Sequence, residues 1–184
     1  MINGATNLHL KLEHDASILS DFYSGIEAMD VFIRTRLSAV LRACNCSFYV
    51  LRDEQGIIVA MFVVSGGQLF LDEDCKEDLR MKFPDIEDWP ELKDYWEAGV
   101  FPSIEIDYLA VRKEFRDQHV GTDIITLIES FKDDTYYHQP SFLSVNAYCT
   151  QEYSAIGFYR KCNFWASELM NQRIDSLRMY RTLN

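Results

Sequence analysis

The chain is short of cations: 18 Lys and Arg stand against 29 Asp and Glu, a net charge of −11. A field of that sign repels phosphate backbones, so nucleic acid is an unfavourable partner and an amine or basic peptide a better one. Cysteine is equally uninformative as a framework. Cys44, Cys46, Cys75, Cys149 and Cys162 form an odd set without a CxxC pair or nearby histidines, which argues against both a disulfide scaffold and a zinc site. No metal is expected. Long apolar runs are missing too: the longest, residues 57–64, could cross only a sheet, and the start has neither the basic nor the apolar part of a signal peptide. These absences predict a soluble, cytoplasmic protein with no membrane partner. With 184 residues and 48% hydrophobic side chains, one compact domain over 1–184 is the expectation.

The acids are unevenly placed. Between Asp72 and Glu97 eleven acids face four Lys or Arg, a local balance of −7. With Pro84 and Pro90 inside it, this stretch reads as an acidic insertion at about 72–100 within an otherwise regular alternation of elements. Trp89, Trp96 and Phe101, in and after it, are expected to pack the insertion onto the domain, with an acceptor pocket as the alternative.

Before the insertion, Leu8, Leu10 and Leu12 alternate with polar residues as a half-buried strand does. Ser24-Gly25-Ile26-Glu27 has the pattern of a capping box. Met29, Ile33, Leu37, Val40 and Leu41 then recur at helical spacing, which predicts one long amphipathic helix. Residues 47–52 and 57–65 predict a hairpin across Asp53-Glu54-Gln55-Gly56, ended by Gly66-Gly67. After the insertion come a strand over 104–111, a polar loop, and a helix whose buried face is Val120, Ile124, Ile125, Leu127, Ile128 and Phe131. A strand over 141–147, a short helix over 151–161 and strands over 163–166 and 175–183 complete an α+β chain with a mixed, mostly antiparallel sheet.

Two segments carry chemistry. Ile104 to Val111 ends in Leu-Ala-Val, and the loop Arg116-Asp-Gln-His-Val-Gly-Thr122 follows and opens a helix. This resembles motif A of the GNAT (Gcn5-related N-acetyltransferase) superfamily, with Arg116 at its R/Q position and Gly121 at its final G/A position. His119 stands where relatives usually have the first loop glycine. A register beginning at Gln118 would set Asp123 against the pyrophosphate, so the Arg116 register is preferred. Further on, Ser154-Ala-Ile-Gly-Phe-Tyr-Arg-Lys-Cys-Asn-Phe164 resembles motif B, with Asn163 in place of glycine; both residues accept left-handed angles. Asp21 to Ile33 resembles, more loosely, the opening of a GNAT branch that includes toxins paired with ribbon-helix-helix antitoxins.

The resemblance implies a GNAT fold with splayed strands and acetyl-CoA as cosubstrate. It places pantetheine along the backbone of Leu109 and Val111, and the pyrophosphate on the amides of Arg116, Asp117, Gln118, His119, Val120, Gly121 and Thr122. A helix N-terminus suits that anion because its amides are unpaired and its dipole end is positive; Arg112, Lys113 and Arg116 add charge. Tyr159, the motif B tyrosine, is implied as general acid to the departing thiolate, its ordinary pKa lying near that of a thiol; the plainer alternative is a core aromatic. Glu105 is the candidate base, sharing a strand face with Asp107, against a surface or salt-bridged carboxylate. The main reading is acetyl transfer by direct attack of a primary amine of a small molecule, peptide or protein; a homodimer is compatible with it. Two others stand beside it: a toxin-like aminoacyl-tRNA acetyltransferase with an antitoxin partner, and a GNAT domain that binds without catalysis.

Overall fold

The computed structural model describes residues 8–82, 84–88, 90, 93–133, 140–166 and 175–183. Seven strands form a sheet in the order β1-β2-β3-β4-β5-β7-β6. They are β1 (His9–Glu13), β2 (Cys46–Arg52), β3 (Ile58–Phe70), β4 (Val100–Val111), β5 (Phe142–Tyr148), β6 (Trp165–Ala166) and β7 (Ser176–Thr182). The helices are α1 (Glu27–Thr35), α2 (Leu37–Ala43), α3 (Glu73–Lys82), α4 (Lys93–Ala98), α5 (Val120–Glu129) and α6 (Ile156–Lys161). None of the described helices is long and apolar enough to cross a membrane. The chain forms two compact units, residues 1–65 with 106–130 and residues 66–105 with 131–184.

In the first unit, β1 pairs antiparallel with β2 and β2 with the start of β3. Phe48, Val50, Ile58, Met61 and Val63 share a core with Leu19, Phe22, Ile33 and Leu37. The expected single helix is two: Arg36, at φ −125° and ψ −30°, ends α1 and starts α2. This re-aims the apolar stripe so that Ile33 and Leu37 both reach the sheet. The capping box does not form. The N-cap of α1 is Ile26, without a side-chain cap, and Ser24 Oγ instead accepts from the Ile26 amide at 3.1 Å. Asp30 serves the helix entrance from inside α1. It is 2% exposed and accepts from the amides of Ser24 (2.7 Å) and Gly25 (3.2 Å). The half-buried face expected of β1 is also absent: Leu10 and Leu12 are exposed.

In the second unit, β5 and β6 both pair antiparallel with β7. The acidic insertion is helical, and its apolar residues Cys75, Leu79, Ile86 and Trp96 join Leu69, Leu71, Phe101, Phe142 and Tyr180 in one core. Trp96 meets Phe101 edge to face at 5.9 Å. Lys76 and Arg80 lie over its ring at 6.0 and 5.3 Å. Arg80 also pairs with Glu77 at 3.0 Å and with Glu87, and Lys76 with Glu73 at 2.7 Å. Two cations of the acidic stretch are thus spent on its own acids and its own tryptophan. Trp96 and Phe101 are packing residues; Trp89 lies outside the described residues. Gly66-Gly67 does not end a strand, because β3 runs on to Phe70. Gly67 is needed for close approach: a Cβ there would stand 3.1 Å from Ser103 Oγ and 3.2 Å from Glu105 Cβ.

Candidate functional site

In the first unit, β4 ends at Val111, with Leu109 and Val111 half-buried. The chain then makes a short 3-10 turn over Lys113–Phe115 and enters α5. Two residues on the way have left-handed backbones, Asp117 at φ +59° and His119 at φ +63°. His119 is the N-cap of α5 and its side chain makes no cap hydrogen bond. The residue is exposed. The first helical bond runs from the Asp123 amide to the His119 carbonyl at 3.0 Å. Among the described residues, the amides from Gln118 to Thr122 have no hydrogen-bond partner. A row of unpaired donors at the positive end of a helix is a cradle for an anion such as a pyrophosphate. Burial pushes the Asp123 carboxyl up from its ordinary value, and the charge of His119 opposes that shift.

The left-handed turn explains why a glycine suits position 119. A side chain there costs about 1–2 kcal/mol, partly offset because glycine is freer in the unfolded chain. His119→Gly is therefore expected to raise the unfolding free energy by about 0.5–1 kcal/mol, read as a higher urea midpoint. A midpoint that falls would show that the ring holds the loop.

The cations around the loop do different work than their sequence positions imply. Arg112 is committed: Nε donates to the Ile58 carbonyl at 2.7 Å, Nη1 to the Asp21 carbonyl at 3.0 Å, and Nη2 meets the Asp21 carboxylate at 3.3 Å. It also lies 5.4 Å over the Phe22 ring. Lys113 lies 5.7 Å over Tyr23, its amide donates to the Tyr23 carbonyl at 3.0 Å, and its stem crowds Gly25. Both residues anchor the loop to residues 21–25. Arg116 has no side-chain partner among the described residues.

In the second unit, α6 ends in a Schellman motif. The Phe164 amide donates to the Tyr159 carbonyl at 3.0 Å and the Asn163 amide to the Arg160 carbonyl at 3.0 Å. Asn163 takes φ +62°, the left-handed angle that its replacement of glycine requires. Phe164 then returns against Tyr159, ring centroids 5.3 Å apart. Tyr159 is 6% exposed, and its hydroxyl has no hydrogen-bond partner among the described residues. A buried tyrosine usually finds one. Burial chiefly, and then the charges of Tyr153, Cys162 and Glu105, push the phenol above its ordinary value. The match to a thiol expected from the sequence is therefore not kept in the resting protein.

Glu105 sits in a network on β4, β5 and β7. Oε2 accepts from Ser144 Oγ at 2.6 Å, Oε1 accepts from Asn146 Nδ2 at 3.4 Å, and Oε1 also accepts from Arg178 Nη1. Asp107 is exposed, and its charge acts on Cys46 and Tyr108. Sequence reading did not single out Arg178, Ser144 or Asn146. Their register, Asn146 opposite Arg178 on β5 and β7, emerges only once the strands pair.

No family model matches the chain, and no curated protein matches it by sequence. Solved structures do match along nearly its whole length. A bacterial toxin superposes with a TM-score of 0.67 at 13% identity, over 97% of this chain and 92% of its own. A tyrosine-to-phenylalanine mutant of the toxin AtaT, bound to the C-terminus of the antitoxin AtaR and acetyl-CoA, gives 0.63 at 15%, over 96% and 94%. AtaT complexed with acetyl-methionyl-tRNAfMet gives 0.61 at 18%, over 94% of each chain. At these identities the likeness establishes architecture: the chain has the GNAT fold of the toxin-type structures.

Proposed function

We propose that this protein is an acetyl-CoA-dependent N-acetyltransferase that passes the acetyl group directly to a primary amine. The observation that carries the reading is the row of unpartnered amides from Gln118 to Thr122 at the mouth of α5, which fits the pyrophosphate of the cosubstrate. Arg116, whose side chain has no partner among the described residues, adds a cation in the same loop. The amine nitrogen bonds to the thioester carbonyl carbon, the carbon–sulfur bond breaks, and the nitrogen loses its proton to water. Tyr159 supplies the proton, or the hydrogen bond, that the thiolate takes up. Solved structures of the same fold in complex with acetyl-CoA support the donor.

The test is calorimetry with CoA, together with acetyl-CoA-dependent release of free thiol over an amine panel. Thr122→Asp is the informative variant. Thr122 is exposed in the first turn of α5, where a carboxylate gains a few tenths of a kcal/mol from the helix dipole. The same charge opposes a bound phosphate, so CoA should bind about tenfold or more weakly while the melting temperature holds or rises. Unchanged CoA affinity in Thr122→Asp would remove the cradle from the donor site.

A toxin-like reading, with the amino group of an aminoacyl-tRNA as acceptor and an antitoxin as partner, is supported by the fold neighbour solved with acetyl-methionyl-tRNAfMet. The net charge of −11 weighs against a tRNA-binding face. Growth arrest on expression, absent in Tyr159→Phe, would favour the tRNA acceptor; normal growth with full activity on small amines would reject it.

A further inference from the structure

We propose that Cys44 and Cys46 form a two-thiolate site that captures one soft monovalent cation, Cu(I) or its analogue Ag(I). Both residues belong to the first unit, and the inference is independent of the acetyltransferase reading.

The spacing of the cysteines argues against a four-coordinate zinc site, and among the described residues no three His, Cys, Asp or Glu side chains converge on a metal position. Two thiolates are nevertheless a complete set for a monovalent d10 cation, which prefers soft sulfur ligands and accepts linear coordination. Cys75 and Cys162 are buried, whereas Cys44 is exposed and Cys46 half-buried. Covalent geometry fixes how near this pair is. Cys44 leaves α2 extended, at φ −107° and ψ 147°, with its amide on the Val40 carbonyl at 2.9 Å. Cys46 opens β2 opposite Ser65, and Asn45 between them is not among the residues with positive φ. Two extended steps separate the Cα atoms by about 7 Å at most and turn both side chains to one side. That is too wide for a disulfide, whose Cβ atoms stand about 3.5–4.5 Å apart, unless Cys46 leaves its pairing. It suits two sulfurs about 4–5 Å apart across one cation, each metal–sulfur bond being about 2.3 Å.

The surroundings favour the complex over the bare thiolates. Cys46 packs against the core of the first unit, as does Tyr108, which stacks on Phe32 at 4.1 Å. Both thiols act electrostatically on the Tyr108 phenol. Burial first, then the charge of Asp107, then that of Cys44, pushes the Cys46 thiol up. Two free thiolates side by side are therefore disfavoured, whereas a cation between them answers both the burial and the repulsion. Each sulfur gives up its proton as it binds, so the complex carries one negative charge. Arg36, a cation that acts on the same phenol, has no side-chain partner among the described residues and offsets that charge.

The experiment titrates the fully reduced protein with Cu(I) without oxygen, against bicinchoninate as competing chelator. One equivalent should bind per chain. Cys44→Ser and Cys46→Ser should each weaken it about 100-fold or more, because loss of even an outer partner of a metal ligand costs about 10–100-fold. Cys149→Ser should leave it unchanged. One equivalent of Ag(I) should also shield Cys44 and Cys46 together from alkylation by iodoacetamide, read by peptide mass spectrometry, and leave the alkylation of Cys149 as it was. Wild-type protein that binds Cu(I) no more tightly than Cys44→Ser overturns the proposal, and so does Ag(I) that leaves Cys44 alkylated. Zn(II) that displaces Cu(I) at equal concentration overturns the two-coordinate assignment. Cys44 is exposed, so its serine variant should keep the native circular dichroism, and the alkylation arm needs no variant at all.

Discussion

Tyr159→Phe should lower kcat for acetyl transfer about 100-fold or more while raising the stability of the protein. The two effects have one cause. The phenol oxygen is buried and has no partner among the described residues, so the folded protein carries an unsatisfied hydroxyl at a cost of about 1–3 kcal/mol. Removing that oxygen keeps the ring packed on Phe164 and relieves the cost. It also removes the only proton that this side chain can offer a thiolate. Thiol release under saturating acetyl-CoA and a urea melt read the two halves separately. The shifted phenol sets the pH dependence as well. Its folded value is raised, so the protonated donor persists above the ordinary phenol range near 10. The alkaline limb of kcat should accordingly fall above pH 10 and not below it. A variant with wild-type kcat, or one less stable than wild type, would mean that the hydroxyl is structural.

Much of this was legible in the sequence, in places where local chemistry decides structure. The β-branched and aromatic runs of 47–52 and 57–65 and the β-branched residues of 104–111 became strands, and the stripe from Val120 to Ile128 became the buried face of α5. Asn163 could be read as a left-handed helix stop because few other residues take that angle cheaply. Residues whose meaning depends on a distant partner were not legible. Gly66-Gly67 looks like a turn until β3 is seen to run on to Phe70, with Ser103 and Glu105 of β4 leaving no room for a side chain at Gly67. Arg112 looks like a phosphate ligand until Asp21, far away in the chain, takes it. Packing of the insertion through Trp96 was legible, but the burial of Leu79 and Ile86 with it was not, because the apolar residues of the insertion are too sparse to show a helical period beside so many charges.

The same distinction governs the second large effect, at Asp30. Its position within an amphipathic helix would suggest a tolerant surface carboxylate, yet it is 2% exposed and bonded to the amides of Ser24 and Gly25. Asp30→Ala strands two backbone donors in a place water does not reach. Each costs about 1–3 kcal/mol, so a loss of about 3 kcal/mol is expected, with Asp30→Asn losing less because one acceptor oxygen remains. The consequence extends beyond stability. The turn that Asp30 closes includes Gly25, left-handed at φ +74°, where an added Cβ would stand 3.0 Å from Lys113 Cδ. The same short segment supplies Asp21 and Tyr23, which hold Arg112 and Lys113 at the head of the loop before α5. A looser turn therefore loosens the cradle, and Asp30→Asn, the folded variant, should show a raised KM for acetyl-CoA with kcat nearly unchanged. Denaturant titration of both variants, with donor kinetics on Asp30→Asn, tests this coupling. An Asp30→Ala protein within about 1 kcal/mol of wild type would place the support of the donor loop elsewhere than in the N-terminal turn.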